Sequence, residues 1–332
     1  MSALSLTGAT GTAGTIGLPS HVFSLAVAGP VGAIGVGILA LLPWWPYHVR
    51  ARTLAVEGRP VPTWRQACYI AGLLVLVVAF SPPVGKLSDQ LLFAHMAEHL
   101  LIGDIAALLI VLGLTGPLLA PLLRMRVISK LRVLCHPVVA IVVWAVNFYT
   151  WHLPVLYQAA LRNNLLHALE HATFLVFGIA MWMALLGPLP KPAWFGNSAR
   201  LIYIIAVRLI GTVLANVLIF GGTVFYPFYR AGDAHWHISP IADQVAAGGL
   251  MMVEESLLTI GLFCWLFLKV ANEGEQRQEL LDYASQHGIA LDEKRAARAV
   301  SAGRGDELRE RLRQRSHAEP VAAGPPADAS GS

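Results

Sequence analysis

Charge is the scarcest ingredient of this chain. Asp, Glu, Lys and Arg make up 13% of its 332 residues, about half the ~25% of an ordinary soluble domain. Hydrophobic residues make up 56%, and the mean hydropathy is +0.59. A body of this composition cannot clothe itself in polar surface, so the lipid bilayer is its expected solvent. Cysteine is nearly as scarce: three residues, none in a C-x-x-C, which excludes a disulfide framework and a zinc knuckle. No segment alternates apolar and polar residues as the strands of a membrane barrel do. Residues 1–21, rich in Gly, Thr, Ser and Ala, lack a basic leader region and are not expected to be a cleavable signal peptide. The pI of about 9.1 is no nucleic-acid signal, because the basic residues sit between apolar runs.

What is present is a series of those runs. Stretches long enough to cross a ~30 Å hydrocarbon core fall near 23–45, 66–83, 92–116, 134–152, 165–187, 199–221 and 242–269. Backbone groups without water must be satisfied within each segment, so these are helices. The expected fold is an all-α polytopic bundle of about seven spans, 22–270, between a flexible N-terminus, 1–21, and a charged tail, 271–332. The tail alternates short amphipathic stretches with a Pro/Ala/Gly end and is expected to be partly helical or disordered. Basic residues set the orientation. Arg50, Arg52, Arg59 and Arg65 follow the first run, and Arg124, Arg126, Lys130 and Arg132 follow the third. Lys191 and Arg200 follow the fifth, whereas the alternate loops hold only Lys86, Arg162 and Arg230. The positive-inside rule then puts the N-terminus outside and the tail in the cytoplasm.

With that topology the histidines gather. His95 and His99 open the third span, His152 closes the fourth, His167 and His171 open the fifth, and His235 and His237 precede the seventh. All are expected at the outer face, with His21 as a further candidate. Two segments share a pattern, His95-Met96-Ala97-Glu98-His99 and His167-Ala168-Leu169-Glu170-His171. Residues four apart share one helix face, so each pair can offer both imidazoles to one metal ion. The spacing also matches H-x-x-E-H, the inverted zinc-protease pattern. Imidazole with the thioethers of Met96, Met251 and Met252 suits copper, Cu(I) in particular. A single interfacial histidine ordinarily bonds a carbonyl or headgroup, and a membrane methionine ordinarily packs; the expectation rests on two pairs and His152 on one side.

Charges within spans are the second signal, since each is costly unless paired or functional. Asp104 and Arg208 lie at similar depth in the third and sixth spans and are expected to form a buried ion pair. Glu254 and Glu255 lie mid-depth in the seventh; adjacent carboxylates cannot face one way, so one is expected toward the cavity, protonated or paired with Arg208. Cys68, Cys135 and Cys264 read as small packing residues.

Over spans three to seven the chain resembles the CtaG-type cytochrome c oxidase assembly factors, bacterial seven-span membrane proteins. The resemblance is carried by His95-Met96-x-x-His99-Leu-Leu and by Trp151-His152-Leu-Pro154-x-Leu-Tyr157-x-Ala-Ala-Leu-Arg162-Asn163. The latter continues into Leu166-His167-Ala-Leu-Glu170-His171. A third motif is Phe225-Tyr226-Pro227, then Trp236 and Ser239-Pro240-Ile-Ala-Asp243-Gln244, with Gly248 and Met251. The resemblance implies a plasma-membrane factor that holds copper on the outer face and passes it to oxidase subunits, with copper chaperones as further partners. On motif positions it implies His95, His99, His152, His167, His171 and Met251 as the metal set, with Asp243 and Gln244 as accessory residues. The chain departs from the family pattern at Gly103-Asp104-Ile105, where prolines are usual, and at Met252-Val253-Glu254-Glu255, where Trp-Pro-Gly is usual. His235 and His237 have no counterpart and are read as capture residues.

The leading expectation is therefore a non-enzymatic copper carrier. Two others stand beside it. One is an intramembrane zinc hydrolase with Glu98 or Glu170 as general base. The other is a haem protein with two histidines bracketing the porphyrin.

Overall fold

The computed structural model describes residues 30–318, with side chains from 42 to 316 except 127. Residues 1–21, His21, the start of the first expected span and the end of the tail, 319–332, lie outside the described residues. Within them the chain is all-helical, without a strand. In order, the helices are α1 (Pro30–Val56), α2 (Thr63–Ala79), α3 (Pro82–Ser88) and α4 (Leu92–Gly113). Then come α5 (Gly116–Leu123), α6 (Arg126–Leu131), α7 (Pro137–Trp151), α8 (Pro154–Arg162) and α9 (Asn164–Leu185). The series ends with α10 (Asn197–Phe220), α11 (Arg230–His235), α12 (Pro240–Gln286), α13 (Glu293–Ser301) and α14 (Gly305–Ala318).

Four helices, α4, α9, α10 and α12, are long and apolar enough to cross a membrane by themselves. Two bent pairs raise the number to six. α2 turns by 54° into α3, and the segment Ile128–Cys135 turns by 82° into α7. Both bends fall at proline, Pro82 and Pro137, which lacks an N–H and disfavours helical geometry in the residue before it. His136, before Pro137, is accordingly extended (φ −70°, ψ 130°). Among the described residues four to six helices can thus cross a membrane, the first of the about seven expected spans lying only partly within them, and the runs 66–83 and 134–152 are broken. Large apolar side chains face outward along the long helices, Phe220, Leu257 and Phe267 among them. That is the surface of a multi-pass membrane protein in lipid.

The chain divides into two compact units. Among the described residues, the first holds 30–195 and 206–255, and the second holds 196–205 and 256–318. The expected domain boundary at 270 falls within α12, a continuous helix of 47 residues. In the first unit, Tyr47 and Tyr69 stack with ring centroids 3.9 Å apart over a core that includes Leu54, Leu73, Ile110 and Leu118. Arg65 donates from Nη1 to the Leu112 and Leu114 carbonyls at 2.9 Å each, satisfying the last turn of α4. In the second unit, Leu280, Val300, Leu308 and Leu312 form a small apolar core between α12, α13 and α14. Asp292 caps α13 through Lys294 N, and Arg277–Glu293 and Arg309–Glu279 pair at 3.4 and 3.2 Å.

α4 and α9 approach closely. A Cβ on Gly178 would sit 2.1 Å from the Gly103 carbonyl oxygen, so only glycine fits at this crossing. On α4 the crossing lies within a π-helical stretch, Leu101–Ala106. Such a widened turn is a local feature often found beside functional sites.

Candidate metal centre

Each helix bearing a histidine pair is started by a specific cap. Asn163 accepts from Leu165 N and Leu166 N at 3.0 and 3.1 Å, fixing the first turn of α9 and with it His167 and His171. α4 has no such residue of its own; Leu91 stands at its N-cap position. Asp243, from the start of α12, supplies the function from a distance. Its carboxylate accepts from Leu92 N at 2.6 Å and Phe93 N at 3.0 Å, opposite the positive end of the helix dipole.

The two pairs meet. Ring centroids of His95 and His99 are 4.4 Å apart, those of His99 and His171 5.3 Å, those of His171 and His167 4.3 Å, and those of His167 and His95 5.2 Å. The four rings therefore stand at the corners of a quadrilateral. One nitrogen from each lies within 4.8 Å of the other three. Four nitrogens at ~2 Å from a single ion would stand at most ~4 Å apart, so a small inward movement of the rings closes the set.

The glutamates of the two motifs cross over. Glu170 Oε1 lies 3.7 Å from His99 Nε2, and Glu98 Oε1 lies 3.9 Å from His171 Nε2. Both carboxylates are buried, Glu170 to 1% exposure. Glu98 Oε2, both Glu170 oxygens, both nitrogens of His95 and His99, and Nε2 of His167 and His171 find no hydrogen-bond partner. Buried polar atoms without partners are costly, and here they cluster around one point. An ion bound there would take one nitrogen from each of the four rings, so the donor set fits a metal.

His152 borders the group, its ring centroid 6.3 Å from that of His99. Its Nδ1 lies 2.7 Å from the Phe148 carbonyl, which can only accept; the proton is therefore on Nδ1 and Nε2 is left as a bare acceptor, buried and without a partner. The His152 carbonyl accepts from the Tyr226 hydroxyl at 2.7 Å. Beyond it, the Tyr157 and Tyr229 hydroxyls are 3.0 Å apart. Burial holds both phenols well above the ordinary tyrosine range, so they stay neutral and hydrogen-bond to each other.

The other expected residues separate from this group. Gln244 accepts from Phe225 N at 2.9 Å and donates to the Leu218 and Thr223 carbonyls at 3.1 and 3.0 Å, so it binds the outer loop to α12. Met96 and Met251 are buried, at 1% exposure each, while the Met252 sulfur faces Arg208 Nη2 at 4.0 Å. His235 and His237 are exposed on the loop around α11. Arg208 pairs with Glu255 at 2.7 Å and donates to the Met252 carbonyl at 3.3 Å. The ion pair expected with Asp104 is thus made by Glu255, because Gly211 opens the space: a Cβ there would overlap the Glu255 carboxylate at 1.5 Å. Both oxygens of Glu254 are buried without a hydrogen-bond partner.

Residues 44–273 match the model of one protein family, the cytochrome c oxidase caa3 assembly factors (Caa3_CtaG). The chain belongs to this family. The match takes in all six residues of the two H-x-x-E-H motifs, His152, Asp243 and Gln244. The chain is also similar to the uncharacterized proteins Mb0105 of Mycobacterium bovis and MT0111 of Mycobacterium tuberculosis. Each is 26% identical over 290 residues, covering 81% of this chain and 43% of the relative. The uncharacterized protein ML1998 of Mycobacterium leprae is 24% identical over 218 residues, 58% of this chain and 32% of its own length. The chain spans less than half the length of these relatives. No solved structure matches.

Tyr229 and the paired orientation of Glu98 and Glu170 were not marked as site features by sequence. Tyr229 stands in the aromatic run Phe225-Tyr226-Pro227-Phe228-Tyr229 with no spacing signal. The crossing of each glutamate to the opposite helix depends on how α4 and α9 are rotated.

Proposed function

We propose that this caa3 assembly factor binds copper through His95, His99, His167 and His171 and passes it to a cytochrome c oxidase subunit at the outer face of the bacterial plasma membrane. The observation that carries this reading is the convergence of four imidazole nitrogens within 4.8 Å, in surroundings where they have few other partners. Imidazole and carboxylate donors favour a divalent ion such as Cu(II) over the thioether-bound Cu(I) that methionines would favour. The two flanking carboxylates offset the ion's charge in a low-dielectric setting. The residues divide the work. The four imidazoles hold the cargo, Glu98 and Glu170 balance its charge, and His152, with its bare Nε2 beside His99, is the first place a departing ion can go.

Copper content of the assembled oxidase tests this. In cells whose own copy of the gene is replaced by a His95→Ala/His171→Ala variant, the oxidase should assemble with its copper centre depleted and recover with added copper. Full copper loading in those cells would refute the reading.

The crossing of the glutamates favours a second reading, a zinc hydrolase in which Glu98 or Glu170 acts as general base. Glu98→Gln and Glu170→Gln separate the two. Metal retained with all function lost supports catalysis, and weakened metal binding with function lost in proportion supports a carrier. The haem alternative, with two of these histidines bracketing a porphyrin, is separated from both by the visible spectrum of the purified protein, where a Soret band would support it.

A further inference from the structure

On the side where sequence places the basic loops, the cationic groups are used in two different ways. Arg65 is spent on the Leu112 and Leu114 carbonyls, and Lys191 on the Met183 and Gly187 carbonyls at 3.2 and 3.0 Å. Each completes a helix end. Arg50, Arg59 and Arg124 do not. They come from α1, the loop after it and the residue following α5, and with Glu57, Gly116 and Pro117 they line a cavity of ≈ 620 Å³. Arg59 and Arg124 enter no side-chain hydrogen bond or ion pair among the described residues. Arg50 has one long contact, 3.4 Å to Glu57, and its Nε is buried without a partner. Three guanidinium groups against one carboxylate leave the cavity at +2, and like charges held together repel unless an anion joins them.

The surroundings indicate which anion. The adjoining helices α1 and α5 expose Trp45, Val49 and Leu122. Trp64, exposed beside them in sequence, lies under the Arg65 guanidinium at 4.5 Å. Exposed tryptophan next to arginine and apolar surface is the composition of a membrane–water interface. A soluble phosphate needs the arginines alone, whereas a lipid needs both the arginines and the apolar flank. Basic pockets at this level between membrane helices recognise anionic headgroups.

We propose that the Arg50/Arg59/Arg124 cavity is a headgroup site for an anionic phospholipid, with the phosphodiester among the guanidinium groups and the acyl chains along the exposed apolar face of α1 and α5. The site is separate from the histidine cluster and does not depend on metal binding.

Native mass spectrometry of the purified full chain tests it, with phosphatidylglycerol, phosphatidylcholine and inorganic pyrophosphate as probes. Phosphatidylglycerol should remain bound in preference to phosphatidylcholine and should not be displaced by pyrophosphate. Arg59→Gln and Arg124→Gln alter exposed side chains and leave the fold intact; each should weaken phosphatidylglycerol binding about fivefold, the effect of one basic residue at an anionic surface. Arg50→Gln added to both should abolish the preference. Equal binding of the two lipids overturns the proposal, as does wild-type affinity in the Arg59→Gln/Arg124→Gln double variant. Pyrophosphate that displaces the lipid overturns it too, by making the ligand a soluble anion.

Discussion

Asp243 caps the helix that carries His95 and His99: its Oδ2 accepts from the backbone N–H of Leu92 at 2.6 Å, across 151 positions of sequence. Two histidines of the cluster thereby take their position from the first turn of α12. Asp243 is buried, at 3% exposure, so its bonds are not shared with water. Asp243→Ala should cost about 2 kcal/mol of stability, the scale of a lost charged cap. It should also weaken copper binding although every histidine remains. Thermal unfolding in detergent and a copper titration check the two effects together; unchanged copper affinity would disconnect the cap from the cluster.

Gly178 controls the distance between the two H-x-x-E-H helices. A side chain there meets the Gly103 carbonyl, so Gly178→Val should force α4 and α9 apart at about 1–3 kcal/mol. Copper stoichiometry should fall along with the unfolding temperature. Gly249, whose Cβ would meet open space, is the matched control, and Gly249→Ala should leave copper binding unchanged.

Asp233 gives a pH dependence of defined sign. It lies in α11, buried, with Oδ1 lacking a partner. Burial first, and the Asp243 carboxylate second, push its pKa up from the ordinary carboxylate range. A raised acid pKa means that the folded state holds a proton which the unfolded chain has already released. Its contribution to stability is therefore fully present below the ordinary carboxylate pKa and is lost as pH rises through the raised value. Asp233→Asn, which mimics the protonated form, should flatten that decline and be the more stable protein at pH 8. Parallel stability–pH curves for the two proteins would contradict this.

The Arg208–Glu255 pair should behave as a unit. Side-chain exposures of 20% and 17% leave it mostly desolvated, so removing one partner strands a buried charge at about 3–5 kcal/mol. Arg208→Leu should destabilise strongly, and Arg208→Leu with Glu255→Leu should recover much of the loss. A double-mutant cycle reads the coupling, and additive effects would show that the two side chains act apart.

These relationships differ in how far the sequence reveals them. The histidine pairs are legible because four-residue spacing maps directly onto one helix face. The Asp243 cap is not, since its partners are 150 and 151 residues away and nothing local marks Leu92 as uncapped. Arg208 had three acids at matching depth, Asp104, Glu254 and Glu255; the rotation of α12 and the missing side chain of Gly211 select among them. The runs 66–83 and 134–152 read as continuous because apolarity continues through Ser81-Pro82-Pro83 and Cys135-His136-Pro137. Hydropathy is blind to the lost N–H that bends each of them.

The central claim is that one ion is held by four imidazoles on two helices. Copper per chain, measured by elemental analysis on the purified and dialysed full chain, tests it most directly. About one copper per wild-type chain is expected, with near-complete loss in His95→Ala/His99→Ala/His167→Ala/His171→Ala. Wild-type copper content in a folded fourfold variant would contradict the claim.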